Sequence, residues 1–276
     1  MAYALIALGF VLALNAAGAV NFAHGDLVVL GGALAVFLGA WSGLPGPLLL
    51  PLVALGIGGA GVLAARVAIL PLAHRPVEAT FVATIALAAI IEQSLTIVLG
   101  GAPRTAPPLI GSGTVDLAGL AIARQPLAIV VAGSVLVAAV WFLLERTQTG
   151  RRMRAVAADR TMSRAVGIPV ARTVMLSLAL AGGLAGIAGL LLGHQFLVTP
   201  TQGAGHMLKA YIAVAIGGWG SVPGALIGAL AIGLFETGVS AAFGDAWAQA
   251  ALYISVLVVL AVRPQGLFGE PAGRRA

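Results

Sequence analysis

Residues 27–65 contain no Asp, Glu, Lys or Arg, and no water-facing surface can be built from so long an uncharged, mostly apolar run. A membrane helix needs about 20 residues to cross a hydrocarbon layer roughly 30 Å thick, so this run is too long for one crossing. Gly43-Leu44-Pro45-Gly46-Pro47 supplies the turn that divides it into two. Composition extends the argument to the whole chain. Of 276 residues, 60% are hydrophobic and 9% are charged, whereas an ordinary soluble domain is about 25% charged. A soluble fold is excluded, and the length accommodates about eight or nine membrane segments with short loops.

The sequence therefore predicts an all-α, polytopic transmembrane helix bundle forming one domain over 1–276, with two broken or short helices. Charge-poor runs place helices at 2–20, 27–42, 48–70, 79–99, 126–145, 173–193, 207–217, 223–242 and 246–262. Seven of the fifteen basic residues lie between Arg146 and Arg172. Alternating the loops puts these with Arg66, Arg75, Arg263, Arg274 and Arg275 on one side, against Arg104, Arg124 and Lys209 on the other. Positive residues mark the cytoplasmic side, so the loop 146–172 and the C-terminus are placed inside and the N-terminus outside, provided that 207–217 crosses. The net charge of +6 belongs to this topology rather than to a nucleic-acid partner. Met1 to Val20 has no basic leader, so a cleavable signal peptide is not expected. Without cysteine, disulfides and thiolate chemistry are excluded.

Three polar regions interrupt the apolar background. In Asn21-Phe22-Ala23-His24-Gly25-Asp26, an amide, an imidazole and a carboxylate fall between two apolar helices. Polar backbone at membrane depth requires a protein-buried or wet surrounding, which makes Asn21, Phe22, His24, Gly25 and Asp26 candidates for a translocation path. A tight turn in which Asp26 caps the next helix is the other reading. Gly218-Trp219-Gly220-Ser221-Val222-Pro223-Gly224 is a comparable break in the second half, and Gly218, Gly220 and Ser221 join the candidate path. The halves share a helix, break and helix pattern without residue-by-residue identity. Gly224 and Gly228, like Gly182, Gly186, Gly189 and Gly193, equally suit close helix packing. The third region, Arg146 to Arg172, is the one polar stretch large enough to dock a cytoplasmic partner. It predicts a short amphipathic helix over Ala155 to Val166, ended by Gly167 and Pro169, with Val156, Asp159 and Ser163 on one side and Arg154, Ala158 and Met162 on another. A loop attracted to anionic membrane lipid is the alternative.

No phosphate-binding loop is present, so the chain cannot itself hydrolyse ATP. His24, His74, His194 and His206 are scattered, and Ser112 falls in a predicted external loop; no catalytic set, metal site or cofactor is expected. Glu92 and Glu236 lie within apolar helices, where a carboxylate costs on the order of 2.5 to 3.5 kcal/mol. They leave open two readings: structural carboxylates hydrogen-bonded in the bundle, or a proton relay in a proton-coupled secondary transporter or channel.

The stretches YALIALGF, NFAHGDLVVLGG, TGRRMRAVAADRTMSRAVGI, AGLLLG, KAYIAVAIGGWGSVPGALIGALAIGLFE and RPQGLFG resemble the H-type permease subunit of branched-chain amino-acid ABC importers, in order and spacing from Tyr3 to Phe268. The resemblance implies a multi-pass bacterial inner-membrane permease, not an enzyme. Its implied partners are a second related permease, ABC ATPase subunits and a periplasmic solute-binding protein. It also implies that RRMRAVAADRTMSRAVGI holds a coupling helix that inserts into the ATPase, with Arg152, Ala158, Asp159, Gly167 and Ile168 carried over to that contact. The family carries a further apolar stretch before YALIALGF. Branched-chain amino acids, urea and short amides are all within the solute range that the resemblance implies.

Overall fold

The computed structural model describes residues 1–100, 102–111, 113–117, 120–263 and 266. Ser112, Arg274, Arg275 and most of the RPQGLFG stretch lie outside them. The described residues form a helix bundle: α1 (Ala2–Ala17), α2 (His24–Ser42), α3 (Gly46–Ala64), α4 (Val77–Leu99), α5 (Arg124–Arg146), α6 (Gln148–Ala158), α7 (Arg160–Ala165), α8 (Val170–Gln195), α9 (Gly203–Gly217), α10 (Val222–Phe243) and α11 (Asp245–Val262). A π-helical turn, Ala65–Ile69, extends α3. One small antiparallel hairpin, β1 (Thr114–Leu117) and β2 (Leu120–Ala123), pairs Thr114 with Ala123 ahead of α5. Seven of the helices are long and apolar enough to cross a membrane, and α1 is a shorter apolar helix.

Burial divides the bundle. Along α1, only Tyr3 and Asn15 are not fully buried. The apolar span of α8 is 78% buried, whereas those of α4, α10 and α11 are each 17% buried. Helix α8 packs on α1, α2 and α3, and its small residues explain how. A Cβ at Gly189 would collide with the Val28 carbonyl of α2, so the two backbones touch directly. In lipid, where apolar side chains gain little by leaving a medium that is already apolar, such backbone approach is the main adhesive. The outer helices instead expose Ile97, Leu234 and Leu257, a surface suited to hydrocarbon or to another membrane subunit.

Several boundaries differ from the sequence expectation. Gly18, at φ 67°, ends α1, and α2 begins at His24. His24, Gly25 and Asp26 are therefore helical, and the first break is 18–23. Asp26 lies in the first turn but makes no side-chain cap, so that reading is corrected. The Thr199 to Gly203 segment is not a plain loop: Thr199 and Gln202 form a capping box around a 3-10 turn. That turn leads straight into α9, which gains four residues over the expected 207–217 and reaches about 22 Å at 1.5 Å per residue. The expected helix over Ala155 to Val166 is two helices. Asp159 divides them because its carboxylate Oδ1 accepts from the Thr161 and Met162 amides at 2.7 and 2.9 Å, which starts a new helix where the old one would continue.

Candidate translocation and coupling site

At the first break, the side chains of Asn21, Phe22 and His24 lie against protein. Asn21 is 2% exposed, and its Oδ1 accepts from the Ala23 amide at 3.2 Å. The Phe22 amide donates to Thr84 Oγ1 of α4 at 3.3 Å, while the Phe22 ring meets Phe81 edge-on. His24 is fully buried. Its Nε2 lies 3.0 Å from the Ile6 carbonyl, its ring stands edge-on to Phe10, and Nδ1 has no partner. A Cβ at Gly25 would overlap the Gly203 carbonyl and Met207 of α9, and one at Gly203 would overlap the Asp26 carboxylate. The carboxylate thus lies against the N-terminal end of α9, where the helix dipole favours negative charge.

The second break is Gly218–Ser221. Gly218 and Gly220 have φ of 114° and 79°, backbone that a side chain would strain. The Gly220 carbonyl accepts from Asn15 Nδ2 of α1 at 3.0 Å, and Ser221 Oγ caps α10 by accepting from the Gly224 amide at 3.1 Å. Unlike the first break, this one borders a cavity of about 340 Å³, lined among others by Asn15, Trp141, Glu145, Arg154, Gly220 and Val222. The structure holds Gly25 away from the second break: Gly25 meets α9 at Met207, about 15 Å along α9 from Gly217, whereas the end of α1 that leads into the first break reaches Gly220 through Asn15.

The candidate coupling region, 146–172, shares its cavity with the second break. Thr147 Oγ1 caps α6 by accepting from the Gly150 amide at 3.1 Å. Met153 and Val156 are buried against the bundle, and Met153, Arg154 and Ala157 face the cavity. Glu145 and Arg154 pair at 3.2 Å, both half-exposed. On α7, the Arg160 guanidinium donates to the Ala16 carbonyl at the C-terminal end of α1, tying the loop to the central helix. Partial burial first, and the Arg164 charge second, draw the Arg160 pKa down, though an arginine stays charged in a protein. Of the carried-over residues, Arg152, Ala158, Asp159 and Gly167 are exposed and Ile168 is half-buried. Val156 and Ser163 face inward, whereas Ala158 and Met162 face outward. Asp159 is the α7 cap rather than part of the inward face.

Sequence reasoning passed over a third polar cluster. Lys209 of α9 donates to Tyr3 Oη of α1 at 2.9 Å and forms an ion pair with Glu236 of α10. The signal was available: Lys209 is the chain's sole lysine and Glu236 stands in an apolar run. What the sequence could not supply was that α9 and α10 pack side by side in the register that brings the two together.

The chain matches the family described as "Branched-chain amino acid transport system / permease component" over residues 1–262. It is 27% identical to the high-affinity branched-chain amino acid transport system permease protein BraD of Pseudomonas aeruginosa, over 98% of this chain and 92% of the relative. The corresponding permease protein LivH of Escherichia coli is 28% identical over the same shares. A shorter match, 31% over 50% of this chain and 44% of the relative, reaches the ribose import permease protein RbsC of Escherichia coli. No solved structure matches. With nearly the whole chain matched and a bundle of apolar helices to carry the match, this multi-pass membrane protein belongs to the branched-chain amino acid transport permease family.

Proposed function

We propose that the chain is the membrane-spanning permease subunit of a binding-protein-dependent ABC importer in a bacterial inner membrane, with residues 1–276 acting as one permease domain. Its solute is a branched-chain amino acid or a related small polar molecule such as urea or a short amide. A periplasmic binding protein delivers the solute; a second related permease completes the path; ATPase subunits dock on the 146–172 loop and drive alternating access. The observation that carries this reading is the cavity shared by the second break and α6, lined by Gly220 and Val222 and by Met153, Arg154 and Ala157, because a movement of the coupling helices would be felt at once by the cavity wall.

In this reading Asn21, Phe22, His24, Gly25 and Asp26 form the closed point of the path and Gly218, Gly220 and Ser221 its cytoplasmic mouth. Helix α9 lies between them as a rod whose two ends abut the two breaks, so a shift at one end is transmitted to the other. Arg160 links α7 to the end of α1, which gives the ATPase a second handle on the core. Backbone groups freed at the breaks replace part of the solute's hydration.

The reading is tested in proteoliposomes holding the chain with its genetically neighbouring permease, ATPases and binding protein. Uptake is expected to require ATP and the binding protein and to stop with vanadate. Uptake that survives vanadate and collapses with an uncoupler would make the chain a proton-coupled transporter instead.

A further inference from the structure

The described residues contain two ion pairs, and one of them, Lys209 of α9 with Glu236 of α10, is mostly buried among the helices. Its side chains are 19% and 20% exposed. Tyr3 completes the group: Lys209 Nζ donates to its hydroxyl and stands 4.8 Å from its ring centroid. Tyr3 precedes Asn15 by twelve residues of α1, about 18 Å, so the group lies away from the cavity beside Asn15, towards the side that the charge distribution makes external. As architecture the arrangement is poor. Two charges are taken out of water, and an apolar pair of similar volume is commonly as stable or more so. The network is also incomplete, because Glu236 Oε2 is buried with no hydrogen-bond partner. A half-satisfied polar network at membrane depth breaks local folding rules without a compensating gain, which is the signature of a functional site.

The chemistry of the pair defines what would use it. An α-amino acid carries an ammonium and a carboxylate on one carbon, so it can enter between the two side chains, giving its carboxylate to Lys209 and its ammonium to Glu236. The unused Oε2 is an acceptor already in place for that ammonium. No net charge is added, and neither protein charge is left bare. An anion or a cation alone would leave one buried charge unpaired, at a cost of several kcal/mol. A neutral amide or sugar offers too little to open the pair. We propose that Lys209, Glu236 and Tyr3 form a zwitterion-binding station at the outer end of the permease, selecting amino acids over neutral solutes. This rests on the permease reading and narrows its solute range.

Because Lys209 is the only lysine, biosynthetic labelling with 13Cε-lysine gives the purified full chain a single side-chain resonance. Leucine is expected to shift that resonance saturably and urea to leave it in place, with the leucine midpoint raised at least tenfold in Glu236→Gln. A resonance that leucine does not move, or that urea moves equally, overturns the station. In the reconstituted complex, the double variant Lys209→Met with Glu236→Met keeps the contact apolar and is expected to assemble normally while losing leucine uptake at least tenfold. If each single change is damaging but the double variant transports like the wild type, the pair is a structural lock and the proposal falls. Failure of the wild-type complex to take up any solute with ATP would overturn the permease reading; a leucine shift of Lys209 in the chain alone would still support the site.

Discussion

The two helix breaks look alike in sequence, each a short Gly-bearing interruption between apolar helices, yet the protein treats them oppositely. At 18–23 the exposed backbone is sealed: Thr84 and Asn21 take the Phe22 and Ala23 amides, and His24 is wedged against Ile6 and Phe10. At 218–221 the backbone is also paired, the Gly218 and Ser221 amides with the Val214 and Gly218 carbonyls and the Gly220 carbonyl with Asn15, but one side opens onto a cavity. Membrane depth permits irregular backbone only where protein or a wet cavity satisfies it, and this chain uses one solution at each break. A break in an apolar run therefore identifies a special place without saying whether that place is closed or open.

The largest expected effect is at the sealed break. Gly25→Leu drives a side chain into the Gly203 carbonyl and Met207, in a region with no room to yield. Overpacking by several carbons costs roughly 1 to 3 kcal/mol and at times more, so the melting temperature in detergent and the yield of monodisperse protein should fall sharply. At the open break, Gly220→Leu meets a backbone strain of roughly 1 to 2 kcal/mol for the left-handed conformation, with the cavity beside it. Yield and assembly should stay near wild type while solute uptake falls at least tenfold. Equal loss of yield in both variants would erase the distinction between the breaks.

A smaller and more selective effect is expected on the coupling loop. Ala158 is exposed, so Ala158→Trp should leave the melting temperature of the isolated chain unchanged. If an ATPase groove covers it, overpacking of roughly 1 to 3 kcal/mol weakens ATPase retention about tenfold or more, since 1.4 kcal/mol is tenfold in affinity. Full retention with normal solute-stimulated hydrolysis would remove this surface as the docking face. The glutamine triple variant of Arg151, Arg152 and Arg154 is the counter-test, because a lipid-bound loop loses membrane attraction there and keeps the ATPase. Smallest of all is Ser221→Ala, which removes one cap hydrogen bond worth about 1 kcal/mol. It should lower the melting temperature by a few degrees with uptake largely kept.

Much of the fold was legible because membrane helices announce themselves through length and hydropathy. The turn at Gly43–Pro47, the apolar spans and the Gly182 to Gly193 packing face all follow from single-residue properties read along the chain. The boundaries that shifted did so for reasons seated elsewhere in the structure. Helix α2 starts early because α1 and α9 enclose His24 and Gly25, and α9 starts early because Thr199 and Gln202 satisfy each other. Asp159 falls inside the helix that the amphipathic pattern predicts over Ala155 to Val166, and the division shows only where its carboxylate meets the Thr161 and Met162 amides. The Lys209–Glu236 pair was hidden for a different reason. Each residue alone reads as a loop cation or a lone carboxylate, and only the packing of α9 beside α10 joins them.

The most direct test uses the absence of native cysteine, which allows single cysteines to be read without background. With the chain assembled in sealed inside-out vesicles, a membrane-impermeant maleimide should modify Asn15→Cys and Ser221→Cys, beside the cavity, and leave Asn21→Cys and Ala23→Cys unmodified in the resting state. Labelling of Asn21→Cys and Ala23→Cys with protection of Asn15→Cys and Ser221→Cys would contradict the account, because the open, cytoplasm-facing break would then be the first and not the second.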